Sequence, residues 1–229
     1  MLVVLLALVL TPDAPCLGPA VARADVFDLP GAVEELRAAA QSCDDAVVAA
    51  QYLEGLTAAR RAYASGGSPE SLQPVKDSIA ALDRLAAGLP GRAQIAALVL
   101  HAAAAAAQSE RDDMALYLDE ALRRESLQLT ATQPAAPIIS AHEAAGDLWL
   151  EVHQFDDARR AYERAAAKVG SNPRIVLGRA RSAARVNDAS ACSHYRQLLD
   201  DWGARTEARP EISEARDYVR QMCAQPGVP

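Results

Sequence analysis

The chain has 229 residues and a net charge of −7, with 51% of its residues hydrophobic and only 4% aromatic. An acidic balance of this kind argues against a general nucleic-acid binder, which needs surplus Lys and Arg to meet phosphates. Much of the apolar fraction is alanine, the best helix former but one that buries little area. No alternating run of β-branched residues bounded by turn signals suggests a strand, so the expected fold class is all-α.

Met1 to Leu10 is an unbroken apolar run, shorter than the roughly 20 residues a membrane-spanning helix needs. Ala22-x-Ala24 has the small-residue pattern of a signal-peptidase site, so residues 1–24 read as a secretory signal removed after Ala24. No Lys or Arg precedes the apolar run, a departure from the usual signal form, and the competing reading is an apolar first helix. Cys16 raises a lipid anchor, against which Asp13-Ala14-Pro15 lacks the small aliphatic lead-in of such sites. Processing after Ala24 leaves Cys43, Cys192 and Cys223, enough for one disulfide in an oxidising compartment. The expected location is therefore exported, periplasmic or extracellular, with no membrane span.

Apolar spacing and turn residues predict helices over 31–41, 44–64, 69–87, 91–108, 111–126, 135–152, 155–169, 173–186, 189–203 and 210–223. Ser65-Gly66-Gly67-Ser68-Pro69 and Gly88-Leu89-Pro90-Gly91 stop one helix and start the next with Pro in its first turn. Closely spaced prolines at Pro134 and Pro137 divide an alanine-rich helical segment, 25–134, from a second unit, 135–229. The doublets Asp44-Asp45, Asp112-Asp113 and Asp156-Asp157, with Asn187-Asp188 as a variant, each precede an apolar-periodic run. They read as helix caps and dipole partners rather than metal or acid–base pairs.

In the second unit, Ile138, His142, Ala145, Trp149 and Val152 make one helical stripe, and Phe155, Ala158, Tyr162, Ala165 and Val169 make another. The connection His153-Gln154 is too short for anything but antiparallel neighbours. Gly146, Trp149, Phe155, Ala158, Tyr162 and Ala165 stand where the tetratricopeptide family carries its small and aromatic signature residues, and the segment resembles that family. A weaker copy follows, with Leu177-Gly178 in its first helix and Cys192, Tyr195, Leu199 and Trp202 along its second; a degenerate one spans 95–126, with Met114, Leu118 and Ala121 at the expected steps. His142 and Arg181 depart from the pattern where an aromatic is usual. Ile212, Ala215, Val219 and Met222 give the last helix the stripe of a solvating cap.

The resemblance implies an α-solenoid of stacked hairpins that binds a peptide or helix of a partner protein along its concave wall. Carried over, Glu143, Asp147 and Glu151, with Arg179 and Ser182 of the next repeat, would face that wall. If the helices over 189–203 and 210–223 form a hairpin, Cys192 and Cys223 lie at similar distances from the loop and can meet as a disulfide.

No catalytic residue, metal ligand set or cofactor site is expected. His142-Glu143-Ala144-Ala145-Gly146 begins like the zinc-protease helix motif, but Gly146 takes the place of the second histidine. Charge is segregated: Asp25 to Ala59 holds seven acids and one base, whereas Arg159 to Arg185 holds eight bases and only Glu163. That stripe suits an acidic partner, a lipid head group or a polyanion, an ordinary solvated face, or contact with the acidic N-terminal segment within the chain or across a dimer. Two other functions are open: a self-assembling structural protein, and a helical envelope hydrolase with Glu34, Glu35 or Glu54 as its carboxylate.

Overall fold

The computed structural model describes residues 15–129, 138–204, 206 and 208–223. A single 3-10 turn, Pro15–Leu17, leads into α1 (Gly18–Ala24), α2 (Leu29–Ala39), α3 (Asp44–Ala64), α4 (Pro69–Leu85), α5 (Pro90–Ala107) and α6 (Arg111–Leu129). After the linker come α7 (Ala141–Glu151), α8 (Phe155–Val169), α9 (Pro173–Arg185), α10 (Ser190–Trp202) and α11 (Pro210–Met222). No strand occurs among the described residues, and none of the helices is long and apolar enough to cross a membrane.

Each helix packs on the next in sequence within α1–α6 and α7–α11, and α3, α5, α7 and α9 also pack on one another in series. Short turns force antiparallel neighbours, and the second kind of contact stacks the pairs α3–α4, α5–α6, α7–α8 and α9–α10 into a solenoid-like all-α fold with α11 at its end. From Ile95 to Ala107 α5 is apolar on every face except at His101, and the helix touches α3, α4, α6 and α7. Ala93, Ile95, Val99, Leu100 and Ala103 are all buried in it, as a central helix requires. One apolar cluster runs from Leu17 through α7 into α8; a second joins Val176 and Leu177 of α9 to Leu198 of α10 and Ile212 of α11.

The capping differs from expectation. Asp44-Asp45 and Asp156-Asp157 lie inside the first turns of α3 and α8, which have no side-chain cap, and Asp112-Asp113 lies in the first turn of α6. They meet the helix dipole there, while the capping bonds come from Asp28, Ser68, Ser140 and Asn172. In the variant doublet Asp188, one residue ahead of the N-cap Ala189, accepts from Ser190 N at the start of α10. The helix expected over 135–152 begins at Ala141, because Ser140 caps it; Ile138 precedes the helix at φ +63°, and residues 130–137 lie outside the described residues.

Two disulfides lock the ends of the stack. Cys192 joins Cys223, tying α10 to the end of α11 as the hairpin geometry suggested. Cys43, for which the sequence offered no partner, is joined to Cys16. That bond takes the sulfur a lipid anchor at Cys16 would need. It also ties the segment ahead of Ala24 to the fold, with Leu17, Ala20 and Ala24 buried. Met1 to Leu10 lies outside the described residues.

Candidate functional site: a charged, aromatic cleft on the inner helices

The inner helices and α11 frame a cleft of about 1100 Å³, a little above the usual range of ligand pockets. Its floor comes from Arg60 and Tyr63 at the end of α3, and from Asp147, Leu150 and Glu151 on α7. The far wall carries Arg181 and Arg185 of α9, Tyr195 of α10, and Glu214, Asp217, Tyr218 and Gln221 of α11. These positions follow from helical period: 147, 150 and 151 share one face of α7, as 181, 184 and 185 do on α9, and 214, 217, 218 and 221 on α11.

The charges are held in internal pairs. Arg60 Nη2 donates to Asp147 Oδ2 at 2.7 Å, and Arg60 Nε lies 3.9 Å from Glu151 Oε1. Asp147 and burial act oppositely on Arg60, and Asp147 prevails, raising its pKa. Glu151 is pushed up by burial, partly offset by Arg60. Tyr63 Oη donates to the Glu151 carbonyl at 2.7 Å, fixing α3 against the end of α7. Across the cleft Arg181 forks onto both carboxylate oxygens of Glu214, and Tyr195 Oη donates to the same carboxylate at 2.9 Å. Burial alone would raise Glu214, but the Arg181 and Tyr195 bonds outweigh it and hold its pKa low. The rings of Tyr195 and Tyr218 sit 4.4 Å apart, and the Arg185 guanidinium lies 5.6 Å over Phe155. The result is an aromatic trough with positive and negative groups at fixed places, chemistry suited to a polypeptide carrying both charge and apolar side chains.

Of the five residues the resemblance put on the wall, Asp147 and Glu151 line the cleft. Glu143 does not: its carboxylate is buried, accepting from Arg174 Nε at 2.6 Å and Asn172 Nδ2 at 3.1 Å. Ser182 is fully buried and donates to the Arg179 carbonyl. Arg179 points the other way round α9; after burial, it is the charge that most lowers the pKa of His194 on α10. The charged residues of α9 that line the cleft are Arg181 and Arg185, two or three places later along the helix. Their signal was the polar residue at 181 where the family has an aromatic. Tyr218 and Glu214 had no local signal, since only packing of α11 brings them to the cleft.

Much of the basic stripe is closed within the chain: Arg159 on Asp188, Arg160 on Asp157, Arg174 on Glu143 and Asp25, Arg181 on Glu214. The carboxylates weighed for hydrolysis stand away from the cleft, Glu54 paired with Arg37, Glu35 with Arg23, and Glu34 exposed. Neither a family model, nor a curated protein, nor a solved structure matches this chain.

Proposed function

We propose that this protein is an exported, tetratricopeptide-like interaction module that binds a peptide or helix of an envelope partner in the cleft between α3, α7, α9 and α11. The cleft carries the reading: an open trough lined by Tyr63, Phe155, Tyr195 and Tyr218 with fixed charges on either side suits an amphipathic polypeptide. Stacked helix pairs, and the Tyr162 ring packed against the bare backbones of Gly146 on α7 and Gly178 on α9, support the family resemblance. Two disulfides, Cys16–Cys43 and Cys192–Cys223, support an oxidising compartment.

A photo-crosslinking side chain placed at Gln221 in the cleft, and in a parallel sample at exposed Glu163 on α8, tests this in envelope extract of the source organism. The expected result is a discrete heteromeric adduct from Gln221 that disappears with Glu214→Lys and has no counterpart from Glu163. Adducts between copies alone would favour self-assembly. Equal adducts from both positions would remove the cleft as the binding site.

A further inference from the structure

The end of the same wall is already occupied by the chain's own turn between α1 and α2. Phe27 and Leu29 close a small crevice of about 90 Å³ against Tyr162, Leu177, Gly178 and Arg181. That crevice shares Arg60, Asp147 and Arg181 with the large cleft, so the two adjoin. Phe27 packs with the second apolar cluster, that of α9–α11, whereas Leu29 packs with the first. Carboxylates flank the ring, and each meets an arginine from the far end of the chain. Asp25 Oδ1 lies 3.5 Å from Arg174 Nη1, and Asp28 Oδ1 lies 3.3 Å from Arg209 Nη2. The turn holds Phe27 at φ +58°, a backbone region costly for a bulky residue. That cost is carried where the ring reaches the wall.

We infer that the Asp25–Leu29 turn is an internal ligand of the concave wall, and that the partner this wall takes is a peptide of the same chemistry: an aromatic anchor with a carboxylate two residues before it and another immediately after. This rests on the cleft being the binding site and names what enters it. Arg174 and Arg209 select the carboxylates, Leu177 and the apolar cluster of α9–α11 receive the ring, and the adjoining trough of Tyr195 and Tyr218 takes flanking residues of the peptide. Binding in trans requires the internal turn to leave.

The test is fluorescence anisotropy with a labelled peptide of sequence Asp-Val-Phe-Asp-Leu-Pro, titrated into the full chain and into two variants. Phe27→Gly removes the anchor while suiting the positive φ. Asp25→Asn with Asp28→Ser removes both carboxylates and keeps a residue able to cap α2. Both variants should bind the peptide at least tenfold more tightly than the parent chain. Arg209→Glu added to either variant should abolish the gain, as should a peptide with Ala for Phe. Equal affinity for parent and folded variants, or no binding to any, would overturn the inference and leave the turn as a structural closure. A Gln221 adduct that persists while the peptide fails separates the two readings: the cleft stands and the internal ligand falls. Peptide gained by the variants without any Gln221 adduct to an envelope protein does the reverse.

Discussion

The ring of Tyr162 fills the space that a side chain at Gly178 would need. A Cβ built on Gly178 would fall inside contact distance of the ring's Cε1 and Cζ atoms, and one on Gly146 would meet its Cδ1 and Cε1 at 2.6 Å. The ring is thus wedged between α7 and α9, fully buried, with its hydroxyl donating to Asp147. Burial, then Asp147, pushes the Tyr162 pKa up, which keeps the hydroxyl a donor. One side chain from α8 therefore spaces two inner helices and aims a cleft carboxylate.

Gly178→Ala should lower stability despite alanine's better helix propensity. Overpacking a close-fitted core costs about 1–3 kcal/mol, against a propensity gain of about 1 kcal/mol. Urea unfolding should show a lower midpoint with unchanged slope. Adding Tyr162→Leu should recover part of the loss by making room. A midpoint that rises with Gly178→Ala alone would mean the ring is not wedged.

Legibility followed the range of the physics. Helix positions were readable because period, turn residues and prolines are local: α3 was expected over 44–64 and occupies Asp44–Ala64, and α8 over 155–169 and occupies Phe155–Val169. The cleft was half readable. Asp147 and Glu151 follow from one helix face, but Glu143 sits on the same helix and is drawn inward by Arg174, a residue of the next repeat. Phe27, Arg209 and Cys16 act across the fold, and no spacing announces them.

The Arg174–Glu143 pair is buried on both sides, with side chains 12% and 2% exposed. Screening by solvent is weak there, and loss of one partner strands the other. Arg174→Met should destabilise the protein by about 3–5 kcal/mol. Glu143→Gln combined with Arg174→Met should restore most of that, short of the bond Arg174 makes to the Ile138 carbonyl. A double-mutant cycle by chemical denaturation measures the coupling; additive losses would show that the pair contributes little.

Cysteine content gives a third prediction. All four cysteines are bonded, so denatured, unreduced protein retaining Cys16 should titrate with no free thiol. A chain cut after Ala24 would instead show one, Cys43, and would lose the α1–α2 packing. Thiol titration with the mass of the exported protein distinguishes the two. Cys192→Ser should cost about 3–4 kcal/mol for a loop with a sequence separation of 31 in the chain-entropy treatment, seen as a lower melting temperature.

Glu125 caps a helix it does not belong to. From α6 its two carboxylate oxygens accept from Ala141 N at 2.9 Å and His142 N at 3.1 Å, at the start of α7. Burial pushes its pKa up to about 7, against the pull of those two N–H groups. In the unfolded chain a glutamate titrates near about 4.3. Between the two values the folded state holds a proton that the unfolded state has lost, so stability falls as pH rises through the window. The full span corresponds to about 4 kcal/mol as an upper figure. His142 opposes it: burial, with Arg164 and Lys168, lowers the ring's pKa, so its contribution is lost as pH falls below about 6.5. Glu125→Gln mimics the protonated carboxyl and leaves His142 in place, so the difference between parent and variant isolates the carboxylate. The parent should gain stability relative to Glu125→Gln as pH drops from 8 to 5, read from urea midpoints at each pH. A difference that stays flat would show that Glu125 does not titrate near neutrality and that its two helix-capping bonds outweigh burial.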